Sequence, residues 1–112
     1  MKSITVVAHP LIDHSLTVIR RKETTTEEFR RHAGIVSKIL LVEVMKGLAT
    51  ASVRIDTPLA PMTGKKLKDD VIVVPVLRAG LAMLFAIQDF LPSVSVGFIG
   101  LERDEKTAQA RE

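Results

Sequence analysis

Arg78 has the clearest prospect of chemistry in this chain. It stands between two apolar runs, residues 71–77 and 79–91, where a guanidinium is costly to bury unless it meets an anion. Ala79 and Gly80 follow it. Gly80 permits close backbone approach, and the amides opening a following helix present the positive end of its dipole. The arginine adds a forked, permanently charged donor matched to phosphate oxygens. Arg103 comes after a third apolar run, residues 94–101. Two such cations suit a polyphosphate better than a neutral ligand. The structural alternative is that Arg78 simply snorkels from a strand end to the surface.

The other candidate groups say less. His9 and His14 flank Asp13, but residues five apart do not share a helical face and no third ligand is apparent, so no metal site is expected. Gly64-Lys65-Lys66 resembles the tail of a phosphate loop, yet Ala60, Pro61 and Met62 stand where its opening glycine belongs. No Ser-His-Asp order or pair of acid and base carboxylates can be argued from spacing. With no cysteine, neither a disulfide framework nor a thiolate metal site is open to the chain. The net charge of +3 is spread along the chain, and there is no Trp or Tyr to stack bases, so no nucleic-acid partner is expected. The apolar start, residues 1–8, is too short for a signal peptide or membrane span. The expected location is the cytoplasm, with no membrane partner.

The elements that must position Arg78 follow from periodicity. Residues 4–8 read as a short strand ending at His9-Pro10. Leu11, Ile12, Leu16 and Ile19 have helical spacing over residues 10–21, with Pro10 acceptable in the first turn. A second helix begins at a capping box, either Thr24 with Glu27 or Thr25 with Glu28, and runs to about Gly47. Phe29, Ala33, Val36, Ile39, Leu40 and Val44 mark its apolar face; Arg30, Arg31, Lys38 and Glu43 mark the other. Residues 52–56 alternate as a half-exposed strand does, and residues 57–64, with two prolines and a glycine, read as a turn or projecting hairpin. Residues 71–77 are a strand covered on both faces, 79–91 a helix stopped by Pro92, and 94–101 a second such strand. That is a βαβ unit. Ligands of such sheets bind beyond the carboxyl ends of the strands, where Arg78 and Arg103 both fall. The chain is expected to form a single domain over residues 1–112.

Three blocks, "HPLIDHSLTVIR" (9–20), "VVPVLRAGLAM" (73–83) and "VGFIGLERDEKT" (96–107), closely resemble the uracil phosphoribosyltransferases. Phe29-Arg30, Thr57-Pro58, Gly64 and Pro92 fall in the same register. The resemblance implies an α/β fold: a partial type I phosphoribosyltransferase-like fold, with a mostly parallel sheet, flanking helices and an N-terminal helical segment. It implies that Arg78 and Arg103 contact the pyrophosphate of phosphoribosyl pyrophosphate, beside the Ala79-Gly80 turn. It further implies uracil as the second substrate, substrate-chelated Mg²⁺, and a homo-oligomer. The acidic, glycine-rich segment of the form DPMLATGGS that holds ribose and its 5-phosphate does not occur here, nor does the later segment that reads the uracil edge. Val42 and Glu102 replace residues that are usually Tyr, and Phe85 one that is commonly Asp. The expectation is therefore a truncated uracil phosphoribosyltransferase, inactive by itself, with no catalytic residue assignable in this half. The alternative is a non-catalytic fragment or remnant that retains oligomer contacts.

Overall fold

The computed structural model describes residues 3–91 and 93–100, together with the backbone of residues 102, 103, 110 and 111. Helix α1 (Pro10–Arg20) starts where the sequence places it. Pro10 occupies a position whose N–H no helix could use, and the His9 Nδ1 accepts the Leu11 N–H at 3.0 Å. Upstream, the strand expected over residues 4–8 does not form. Ile4 and Val6 are 74% and 85% exposed, and no described strand pairs with their backbone. An isolated extended segment has nothing to complete its ladder.

Helix α2 (Thr26–Met45) is capped by Thr25 and Glu28 in a reciprocal box. Thr24 stands one residue outside the cap, and its hydroxyl donates to the Val18 carbonyl near the end of α1. A polar pair stitches the two helices together: Ser15, fully buried, has its hydroxyl oxygen 3.0 Å from Nδ1 of the half-buried His32. The His14 ring stands 5.7 Å from that of His32. Val44, expected on the apolar face of α2, is instead 78% exposed.

Strands β1 (Thr50–Asp56) and β2 (Pro61–Leu67) form a seven-pair antiparallel hairpin. The expected turn over 57–64 is shorter than predicted. Thr57 and Ala60 close it, with the Thr57 N–H and hydroxyl both donating to the Ala60 carbonyl. Pro61 to Gly64 belong to the strand, Pro61 as its first residue, where a missing N–H is tolerated. Only the central Val53 and Gly64 are partly covered. The hairpin projects.

The βαβ unit follows. Strands β3 (Ile72–Val73) and β4 (Val76–Leu77) lead into helix α3 (Leu81–Phe90), and strands β5 (Ser95–Val96) and β6 (Ile99–Gly100) return parallel to them. All four pairings keep one register, so each expected strand is a single extended segment with a gap. The cause is Pro75. The Ser95, Gly97 and Ile99 N–H groups donate to the Val71, Val73 and Pro75 carbonyls. A regular parallel ladder would return the residue-75 N–H to the Gly97 carbonyl, and proline has none. Beyond β6, β7 (Glu102–Arg103) pairs antiparallel with β8 (Ala110–Arg111).

Helix α3 packs on α2 through small residues: a Cβ at Gly34 would lie 3.6 Å from that of Ala86. Lys38 and Asp89 approach to 3.7 Å across the same contact. Among the described residues Leu84, Ile87, Leu91 and Ile12 are the buried hydrophobics. The radius of gyration is 18.5 Å, against ~13 Å for a compact chain of this length. The difference reflects the projecting hairpin and an open sheet.

Candidate functional site

The site is the turn joining β4 to α3. Leu77 ends the strand, and Arg78, Ala79 and Gly80 form the turn. Arg78 and Ala79 are exposed, while Pro75 behind them is buried. Among the described residues no carboxylate pairs with the Arg78 guanidinium. The peptide bond between Leu77 and Arg78 is cis.

The backbone amides do not all behave as the sequence suggests. The Gly80 N–H donates to the Val76 carbonyl at 2.8 Å, and the Leu81 N–H to the Arg78 carbonyl at 3.2 Å. The first two amides at the helix start are therefore committed to the turn itself and do not point outward. Among the described residues no hydrogen bond engages the Ala79 N–H. Gly80 has φ −78° and ψ −4°, ordinary helical backbone, so its conformation does not require glycine. Space does: a Cβ there would meet Val76 N and O at 3.0 Å and Pro75 Cβ at 3.1 Å.

Arg103 lies in β7, just past the carboxyl end of β6, and Arg78 follows the carboxyl end of β4. Because β4 and β6 pair in parallel, the chain leaves both strands at the same end of the pair. The Arg103 and Glu102 side chains, and Asp104-Glu105, lie outside the described residues.

The turn borders an apolar groove of about 370 Å³ lined by Val74, Val76, Met83, Leu84 and Ile87, among others. A larger cleft of about 630 Å³ opens between α2 and α3, with Arg30, Arg31 and Lys38 above Ile35, Leu81 and Phe85. Helical spacing places those three cations on the face of α2 opposite its apolar one. Helical spacing alone could not tell that α3 would stand opposite them.

An exposed arginine at the carboxyl end of a parallel strand pair is what the local blocks had suggested; a glycine closed against the chain's own backbone is not. A family model described as uracil phosphoribosyltransferase matches residues 6–112. The chain belongs to the uracil phosphoribosyltransferase family. A uracil phosphoribosyltransferase of Acholeplasma laidlawii is 40% identical over 109 residues, covering 97% of this chain and 52% of the relative. One of Latilactobacillus sakei is 43% identical over 117 aligned positions, covering 100% and 54% respectively. The solved structure of the AQ2163 protein from Aquifex aeolicus superposes with a TM-score of 0.86 at 28% identity, covering 97% of this chain and 53% of that one. This uracil phosphoribosyltransferase family member thus spans about half the length of the curated relatives it matches.

Proposed function

We propose that this chain carries the pyrophosphate-binding part of a uracil phosphoribosyltransferase. In that reaction uracil N1 bonds to ribose C1 of phosphoribosyl pyrophosphate as the C1–O bond breaks, giving UMP and pyrophosphate. The observation that carries the reading is the exposed Arg78, without a carboxylate partner among the described residues, at the carboxyl end of β4 in a member of this family. In this role the Arg78 guanidinium and the Ala79 N–H face the pyrophosphate, and Arg103 provides the second cation. Charge accumulates on the departing pyrophosphate while C1 becomes oxocarbenium-like, so holding and neutralising that anion lowers the barrier directly. The substrate arrives as its Mg²⁺ chelate, by family resemblance. Among the described residues no group of three or more His, Cys, Asp or Glu is assembled to hold a metal.

The same resemblance assigns the uracil edge, the ribose and the 5-phosphate to segments that do not occur in these 112 residues. A homo-oligomer in the cytoplasm, without nucleic-acid or membrane partners, completes the proposal. No described helix is long and apolar enough to cross a membrane. A second reading, a non-catalytic fragment that keeps oligomer contacts, is favoured by the many large hydrophobics left exposed, among them Ile72, Phe85, Phe90 and Phe98.

Titration calorimetry with Mg²⁺–phosphoribosyl pyrophosphate tests the first reading. A charged hydrogen bond contributes about 1.5–3 kcal/mol, so Arg78→Ala should weaken binding about tenfold or more. Binding that is unchanged by the substitution would return Arg78 to the role of a snorkelling surface residue.

A further inference from the structure

Gly80 stands beside the arginine proposed to hold pyrophosphate, and its own groups are already committed. Its N–H is bonded to the Val76 carbonyl at 2.8 Å. Its Cα faces the backbone of the residue four positions earlier, with less room than a methyl group ordinarily takes: the added carbon would sit 3.0 Å from Val76 N and O. Those neighbours are main-chain atoms, and Pro75 on the remaining side is buried. None of the three can swing aside as the tip of a flexible side chain does. A side chain here can be accommodated only by opening the turn.

We infer that Gly80 is a positioning residue and not a ligand. Its missing side chain lets the turn from Val76 to Gly80 close on itself, and that closure sets Arg78 and the unengaged Ala79 N–H side by side at the strand end. The inference rests on the anion reading of this turn and refines it: the contacts come from Arg78 and Ala79, while Gly80 acts through them. The ligand class is a pyrophosphate group. The same geometry explains why glycine stands at a position with ordinary helical φ and ψ. Opening the turn by a few tenths of an ångström would stretch the 2.8 Å Gly80–Val76 bond and move the Ala79 N–H with it.

The test is a double-mutant cycle on the 112-residue chain, titrated with Mg²⁺–pyrophosphate and followed in parallel by far-ultraviolet circular dichroism. Arg78→Ala and Gly80→Ala should each lower affinity about tenfold or more, and the double variant should lose little beyond either single one, because both act on one contact. Independent, multiplying losses, or undiminished binding by Gly80→Ala, would overturn the positioning role while leaving the anion reading intact. No binding by the unmodified chain would refute the anion reading and the inference with it. Should Gly80→Ala lose its helix signal, amide nuclear magnetic resonance of the unmodified chain decides. The Gly80 amide should stay protected from exchange with and without pyrophosphate, and the Ala79 amide should shift and gain protection on binding. Release of the Gly80 amide from Val76 when pyrophosphate binds would show that Gly80 is itself a ligand.

Discussion

Helix α2 is the wall against which α3, and so the Arg78 turn, is held, and its start can be perturbed by one atom group. Thr25→Ala removes the hydroxyl that accepts the Glu28 N–H at 3.1 Å and lies 3.0 Å from Glu28 Oε1. It keeps the third bond of the box, from the Thr25 N–H to Glu28 Oε1 at 3.1 Å. Loss of a Thr N-cap costs about 1 kcal/mol. Both residues are near the surface and water can replace the lost bond in part, so nothing larger is expected. For a chain of this size that corresponds to a fall in the melting midpoint of roughly 4 °C. The assay is a circular dichroism melt at one fixed protein concentration, since self-association would shift the midpoint by mass action. The box also has a pH signature. The Glu28 carboxyl is held below its ordinary value, first by the Thr25 backbone N–H, then by the Thr25 hydroxyl and by Arg21 and Arg31. A depressed carboxylate contributes stability above its unfolded pKa, about 4.3, and loses it as pH falls through the lower folded value. Glu28→Gln keeps an acceptor for the Thr25 N–H but removes the charge. The difference between the unmodified chain and Glu28→Gln should therefore be present near neutrality and shrink on acidification below about pH 4. A Thr25→Ala midpoint equal to that of the parent, or a Glu28→Gln difference that does not change with pH, would refute the capping account.

Glu102 places a carboxylate next to Arg103 in the chain, and like-sign repulsion with pyrophosphate should weaken binding, so Glu102→Tyr should raise affinity in the same titration; no gain would mean that this side chain faces elsewhere. Large exposed hydrophobics and open strand edges favour pairing with another chain, so sedimentation velocity should show association that grows with concentration. The same 112-residue chain should release no pyrophosphate in a uracil-dependent reaction, and robust UMP formation by a monodisperse sample would sink that expectation.

The sequence by itself determined what local chemistry decides. Pro10, the choice of threonines with paired glutamates, and apolar residues at helical spacing specify α1 and α2 because capping and amphipathicity act within a few residues. Two apolar runs about a helix-length segment specify the βαβ unit, and an arginine wedged between them specifies where to look for a site. Tertiary structure decided what depends on partners distant in the chain. Thr25 and not Thr24 caps α2 because the helix begins at Thr26, while Thr24 turns back towards α1 with its hydroxyl on the Val18 carbonyl. Residues 4–8 stay out of any sheet because no described strand lies alongside. Arg30, Arg31 and Lys38 line a cleft only because α3 packs opposite. Gly80 offered the sharpest contrast. Its sequence context suggested an amide and a gap presented to a ligand, but both are filled by the backbone of Val76. Which neighbour a glycine makes room for is a matter of how the chain returns on itself, and only folded coordinates hold that information.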